Sequence, residues 1–219
     1  MQVSYFETGR YYAPSNLPRE WPMPPGAYDR EAGLRAFHGM VERSRRVEEL
    51  GFDWVSVSEH HYSPRILTPS LPIAAAYIAS HVHNIKIALL GPIVPQSNPV
   101  LLAEEMAMLD TMAEGRLIVG MLRGTTNEML TYDLNPEESR ERTDEGMELI
   151  LRAWKEPQPF GWQGRHFHYR APCRCGRSRC SSRCRRSMPS APVARPATSR
   201  RATILDSACR SARSTQWAG

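Results

Sequence analysis

The chain has 219 residues, enough for one domain with a sizeable core, and its net charge of +5 is unevenly divided. Residues 1–170 carry 17 basic and 22 acidic side chains, whereas residues 171–219 carry 11 Arg and a single acid. No apolar run approaches the roughly 20 residues of a membrane helix and the N-terminus lacks a signal-peptide pattern, so we expect a cytoplasmic protein that binds no membrane.

Apolar residues in the first 170 positions predict strands that alternate with helices. Such alternation is typical of βαβ units, so we predict an α/β fold with a parallel sheet. A Pro- and Gly-rich loop (9–28), a second loop (91–98) and a small hairpin (160–169) complete this part. The predicted strands cover 3–6, 54–58, 85–90 and 117–122, and the predicted helices cover 29–50, 70–80, 99–112 and 136–154.

Three titratable residues, Glu59-His60-His61, follow the second predicted strand directly. A histidine at a strand end can act as acid or base near neutral pH, and a neighbouring carboxylate can tune it. An exposed loop with two histidines accounts for the same pattern. A metal site is the weaker interpretation, because adjacent histidines on an extended backbone point in different directions and no third ligand is evident.

Arg123 follows the fourth predicted strand, within Gly120-Met121-Leu122-Arg123-Gly124. In a parallel α/β sheet, Arg123 therefore lies at the same edge as the histidines. A guanidinium at this edge suits a phosphate or an anionic ring edge. An arginine that pairs with a carboxylate at the rim is the alternative.

An ordered set of motifs over residues 1–170 resembles the bacterial luciferase-like, flavin-dependent monooxygenase family. The set comprises Glu59-His60-His61, Asn98-Pro99-Val100-Leu101-Leu102-Ala103-Glu104-Glu105, Leu109-Asp110, Gly115-Arg116 and Arg123-Gly124. The resemblance implies a TIM-type (β/α)₈ barrel, of which this chain holds about four βα units. It also implies oxidation of a small apolar organic substrate with O₂ and reduced FMN, which a separate flavin reductase supplies.

The same resemblance assigns roles to individual residues, and from the residues themselves we expect no metal. His60 matches a histidine that handles protons near the flavin, and paired histidines fit FMN better than a deazaflavin. The remaining matches are to flavin-binding positions: Glu59 lines the pocket, Gly91 lies under the ring, Leu122 and Arg123 flank the ring and the polar tail, and Arg140 reaches the phosphate.

Residues 171–219 depart from the family and are predicted to form a low-complexity basic tail, not a folded domain, because Arg, Ser, Ala, Cys and Pro dominate them. A frameshifted reading of the gene explains this composition best. A zinc site and non-specific binding to nucleic acid or another acidic surface are alternatives. The tail holds all five cysteines, Cys173, Cys175, Cys180, Cys184 and Cys209.

Half a barrel leaves strand edges without partners, so we expect marginal stability, oligomerisation or aggregation, and weak or absent activity from this chain. Family members commonly dimerise through helices of this half, so the resemblance also implies a homodimer. The competing interpretation is a non-catalytic half-barrel interaction protein whose basic tail binds acidic partners.

Overall fold

The computed structural model describes residues 1–12 and 21–170, where four strands form one parallel sheet in the order β1-β2-β3-β4. These strands are β1 Ser4–Glu7, β2 Trp54–Val57, β3 Lys86–Ile93 and β4 Leu117–Leu122. The helices are α1 Arg30–Glu49, α2 Leu71–Ala79, α3 Pro99–Met112, α4 Thr126–Thr131 and α5 Ser139–Lys155. Two short 3₁₀ turns, Pro25–Ala27 and Val94–Gln96, and a hairpin of β5 Trp162–Gln163 with β6 His168–Tyr169 complete the architecture.

The sheet buries one face under the helices. Val55, Ile87 and Leu117 occupy paired register positions, and all three belong to the main apolar core. Because side chains alternate along a strand, the next residues, Ser56, Ala88 and Ile118, form a row on the opposite face. Two of these three side chains, those of Ser56 and Ala88, are small. The predicted α/β fold with about four βα units is therefore confirmed.

Local capping explains where two of the long helices begin. The Asp29 carboxylate accepts a hydrogen bond from the Ala32 amide (2.6 Å) at the start of α1. The Asn98 side chain accepts from the amides of Val100 and Leu101 at the start of α3, and Pro99 occupies its first turn. These side chains satisfy amides that have no partner within the helix, which makes helix starts readable from sequence.

The predicted loop from Gly91 to Asn98 is wrong in its first part, because β3 continues through Gly91 to Ile93 with a shift in its register to β4. Two further differences concern helices. The helix expected from Pro136 begins at Ser139, and the six-residue helix α4 lies in a stretch for which no element was predicted. Six residues are too few to display a helical apolar period, so the apolar pattern does not reveal α4.

The predicted hairpin is confirmed, and Glu145 of α5 organises it. The Glu145 carboxylate accepts hydrogen bonds from the Trp162 indole and from three consecutive amides, those of Arg165, His166 and Phe167. Burial opposes its ionisation, but these hydrogen bonds outweigh burial and lower the pKa of Glu145. The hairpin is thereby held against α5.

Among the described helices, none combines the length and apolar character needed to span a bilayer. The predicted boundary at residue 170 and the predictions for the basic tail fall on 171–219, outside the described residues. They therefore stay predictions.

Candidate functional site

The segments that follow β2, β3 and β4 meet at the carboxyl edge of the sheet. Gln96, after β3, donates from Nε2 to Glu59 Oε1, after β2, over 2.6 Å. His60, also after β2, lies with Nδ1 3.4 Å from Oε1 of Glu128, which belongs to α4 after β4. Parallel strands bring their carboxyl ends to one edge, which is where active sites of such folds are built.

Glu128 is a buried carboxylate that contacts His60. It is 2% exposed, and its second oxygen accepts from the Thr125 amide (3.0 Å) and from the Thr125 hydroxyl. Burial alone raises the pKa of Glu128, but hydrogen bonds from His60 and Thr125 outweigh it and lower the pKa to about 2. Glu128 is therefore ionised at neutral pH, and a negative charge faces His60.

His61 is buried and bonded on both ring nitrogens. Its Nε2 lies 3.0 Å from Glu59 Oε1 and 2.8 Å from Gln96 Nε2, and its Nδ1 lies 2.9 Å from the Tyr132 hydroxyl. The imidazole and the Tyr132 ring meet edge to face with centroids 5.0 Å apart. The two adjacent histidines thus point to different partners, as the extended backbone predicts.

A cleft of about 190 Å³ opens beside His61. Glu59 and Glu105 both line it, and burial together with the nearby Glu59 charge raises the pKa of Glu105. Two facing carboxylates make the cleft polar, in contrast to the apolar walls of typical small-molecule pockets. Its lining also includes Ser70, Gln96, Leu102 and Tyr132.

The end of β4 presents an apolar side chain and a cation to solvent. Leu122 is 40% exposed, and the exposed Arg123 forms no hydrogen bond or ion pair with any described residue. Gly124 then adopts a φ of +85°, which favours glycine, and lets the chain turn toward α4. Arg123 is thus a cation without a protein partner in the described ranges.

Gly91 and Gly120 bring the backbones of β3 and β4 into close contact next to Leu122. A Cβ on Gly91 would collide with the carbonyl oxygen of Gly120, and the Leu90–Gly91 peptide is cis. The buried Gly91 and the partly exposed Gly120 therefore place backbone without side chains beside an exposed apolar side chain and a guanidinium that has no partner among the described residues. These groups fit a flat aromatic ring that carries an anionic tail, as FMN does.

The six residues singled out from the sequence do not form one contact network. Glu59 and His60 join the clusters described above, whereas Leu122 and Arg123 face solvent at the end of β4. Arg140 is exposed in the first turn of α5 and contacts none of the other five within the described chain. No group of three or more possible metal ligands occurs among the described residues. The assigned roles stay predictions.

Three residues of the site were missed by the sequence analysis: Gln96, Glu128 and Tyr132. Thr125-Thr126-Asn127-Glu128 has the capping-box pattern, with Thr and Glu three residues apart, and this signal predicts the helix start at α4. The contacts of Gln96 and Tyr132 have no comparable local signal, because their partners lie 35 and 71 residues away in the chain.

The sheet and its carboxyl edge define a β/α-barrel-type protein with a polar site at the strand ends. A sequence model of the family described as "Luciferase-like monooxygenase" matches residues 17–203. The chain therefore belongs to the luciferase-like monooxygenase family, and the predicted family membership is confirmed.

Relatives of known sequence include chains of alkanal monooxygenase. The alpha chain of Aliivibrio fischeri is 29% identical over 109 residues, which are 49% of this chain and 31% of that one. The beta chain of Vibrio harveyi is 32% identical over 81 residues, which are 37% of this chain and 25% of that one.

Solved structures with the same fold include the monooxygenase RslO1 from Streptomyces bottropensis, with a TM-score of 0.65 and 25% identity over 78% of this chain and 48% of that one. The oxygenating constituent of 3,6-diketocamphane monooxygenase from Pseudomonas putida, solved with FMN, has a TM-score of 0.62 and 19% identity over 77% and 43%. This chain spans about half the length of these solved proteins and about a third of the Aliivibrio chain.

Proposed function

We propose that this chain carries the flavin-binding half of an FMN-dependent monooxygenase that oxidises a small apolar organic molecule with O₂. One observation carries the proposal: a partly exposed His60 and an Arg123 with no partner among the described residues share one sheet edge with the exposed Leu122 and the closely packed backbone of Gly91 and Gly120. This combination offers an acid–base group, a cation and a flat apolar wall, the three elements that a flavin site needs.

Each element has a separate task in the proposed site. Arg123 attracts the anionic part of the flavin, because a guanidinium that lacks a protein partner pairs favourably with a phosphate or a negatively charged ring edge. Leu122 and the partly exposed Gly120 provide the surface on which the ring lies, and the buried Gly91 lies beneath that surface. When bound, reduced FMN supplies the electrons that activate O₂. His60 accepts or returns a proton beside it, and Arg140 reaches the phosphate.

Two solved relatives bear on the choice of coenzyme. The diketocamphane monooxygenase constituent was solved with FMN, and a secondary alcohol dehydrogenase of the same fold, 20% identical, was solved with an F420 adduct. The fold therefore accommodates both coenzymes. We favour FMN for this chain because of its paired histidines, and the supply of reduced flavin by a separate reductase follows from the family resemblance alone.

A flavin titration of the chain tests the proposal. Fluorescence quenching is measured with FMN and with riboflavin, which lacks the phosphate, for the unmodified chain and for Arg123→Ala and Arg140→Ala. The matched control is Arg35→Ala, since Arg35 is an exposed arginine of α1 whose only ion pair with a described residue is the exposed one with Glu31. A charged hydrogen bond contributes about 1.5–3 kcal/mol, so loss of Arg123 weakens FMN binding at least about tenfold.

Arg140→Ala is expected to remove the preference for FMN over riboflavin, and Arg35→Ala to change nothing. Because this chain spans only about half the length of the solved relatives, we expect it to bind FMN with weaker than micromolar affinity. Equal binding of FMN and riboflavin by the unmodified chain, or unchanged FMN binding by Arg123→Ala, would contradict the proposal.

The proposal includes a homodimer formed through α3. Leu101, Met108 and Met112 lie at helical spacing along one side of α3, and each is more than half exposed. Ile73 of the neighbouring α2 is 72% exposed. Apolar side chains at this spacing suit a helix of a second copy, and the relatives include both an alpha and a beta chain of one enzyme.

A further inference from the structure

His60 has two chemically different ring nitrogens, and only one of them has a hydrogen-bond partner among the described residues. Nδ1 faces the Glu128 carboxylate at 3.4 Å, while Nε2 forms no hydrogen bond or ion pair with a described residue. The side chain is one-third exposed, so solvent or a ligand can reach Nε2. A neutral imidazole carries its proton on one nitrogen and a lone pair on the other, so the choice of tautomer decides whether Nε2 gives or takes a proton.

The surroundings of Glu128 determine that choice. One oxygen accepts from the amide and the hydroxyl of Thr125, which fixes the carboxylate at the start of α4. The other oxygen faces His60. An ionised carboxylate has no proton to donate, so Nδ1 must be the donor in this contact.

We propose that Glu128 is a positioning residue that holds neutral His60 in the Nδ1–H tautomer and leaves the Nε2 lone pair as the proton acceptor of the site. The functional importance of this arrangement rests on the proposed function of His60. The arrangement itself is a property of the apo chain, because it involves only Glu128, Thr125 and His60.

Substitution of Glu128 by Gln is expected to reverse the tautomer of His60. A glutamine has one carbonyl oxygen, and the Thr125 amide requires an acceptor at the helix start. The amide oxygen therefore turns to Thr125 and the NH₂ group turns to His60, where it donates to Nδ1. Nδ1 becomes the acceptor, the proton moves to Nε2, and the lone pair that faces the site is lost.

Nitrogen NMR of the ring tests the inference in the full chain without flavin. The chain contains seven histidines, so selective ¹⁵N-histidine labelling gives few signals, and loss of one set in His60→Gln assigns His60. Spectra are recorded at about pH 9, where an ordinary histidine is neutral. The unmodified chain is expected to show a protonated Nδ1 and an unprotonated Nε2, and Glu128→Gln the reverse.

Tyr132→Phe is the matched control. Tyr132 anchors the same helix through His61 and has no hydrogen bond to His60, so loss of its hydroxyl is expected to leave the His60 tautomer unchanged. An Nε2–H tautomer in the unmodified chain would overturn the inference even if Glu128→Gln does not fold, and so would an unchanged tautomer in Glu128→Gln. If the His60 tautomer also reverses in Tyr132→Phe, the effect comes from the docking of α4 and not from the Glu128 carboxylate. This result would overturn the inference too. Because no flavin is present, failure of FMN to bind leaves this test intact.

Discussion

Glu128 and Tyr132 lie four residues apart on and just after α4, and their side chains contact two consecutive histidines, His60 and His61. Residues at this spacing share one face of a helix, whereas consecutive residues of an extended segment point in different directions. The short helix is therefore attached to the end of β2 by two separate polar contacts, and its position is coupled to both imidazoles.

Removal of the Tyr132 hydroxyl is expected to destabilise the chain. Tyr132→Phe leaves Nδ1 of the buried His61 without its partner, and an unsatisfied buried polar group costs about 1–3 kcal/mol. The measurement is the free energy of unfolding in urea. Tyr62→Phe is the control, because the exposed Tyr62 hydroxyl makes no hydrogen bond with a described residue. An equal loss of unfolding free energy in Tyr132→Phe and Tyr62→Phe would refute the stabilising role assigned to the Tyr132 hydroxyl.

Acid is expected to destabilise the chain partly through Glu128. Its pKa is about 2 in the folded chain and near 4.5 when unfolded, so its contribution is full above pH 4.5 and is lost as the pH falls toward 2. By pH 3 this group alone contributes a loss of about 2 kcal/mol. Urea midpoints at pH 6 and pH 3 are compared for the unmodified chain and Glu128→Gln. A Gln variant with the same pH dependence as the unmodified chain would show that Glu128 does not carry the effect.

The ion pair between Glu7 and Arg43 is expected to matter far more than a surface pair. Glu7 is 1% exposed and receives two hydrogen bonds from the Arg43 guanidinium, at 2.7 and 2.9 Å. Arg43→Met leaves this carboxylate buried without its cation, which costs about 2–4 kcal/mol. The cost is not larger because Arg43 itself is partly solvated. Arg35→Met breaks the exposed pair with Glu31 and is expected to cost less than about 0.5 kcal/mol. Similar unfolding free energies for the two variants would contradict this ranking.

Close packing of β3 on β4 is expected to make Gly91 intolerant of any side chain. In Gly91→Ala the new methyl group meets the carbonyl oxygen of Gly120, which is backbone and cannot rotate away, so the chain loses at least about 2 kcal/mol. Gly26→Ala is the control, because nothing lies within 4 Å of a Cβ at that position. Thermal unfolding of both variants measures the difference. A Gly91→Ala chain as stable as the Gly26→Ala chain would exclude the close approach.

The proposed dimer predicts that a charge on the apolar side of α3 dissociates the chain. Met108→Glu places a carboxylate in the middle of that surface, and its desolvation on association is expected to raise the dimer dissociation constant at least about tenfold. Sedimentation velocity of the chain over a concentration series measures this constant. Leu34→Glu on α1 is the control, since Leu34 is 55% exposed and lies on a different helix. A monomeric unmodified chain, or equal dissociation by Leu34→Glu, would refute the interface.

Sequence alone determined the alternation of strands and helices, the starts of α1 and α3, and the location of His60 and Arg123 at strand ends. These features follow from short-range physics. An apolar period reports which face of an element is buried, and capping by Asp29 or Asn98 involves residues two or three positions away. Parallel strands then align their carboxyl ends, so residues that follow the strands gather at one edge without further information.

Only the tertiary structure decided which residues the histidines contact. Glu128 and Tyr132 reach His60 and His61 across 68 and 71 residues of chain, and both contacts depend on how β2, β3 and β4 pair. The continuation of β3 through Gly91 depends in the same way on β4, because a strand persists past a bulge only where its neighbour supplies hydrogen bonds. Sequence located His60 at the strand end, and three-dimensional packing supplied the carboxylate beside it.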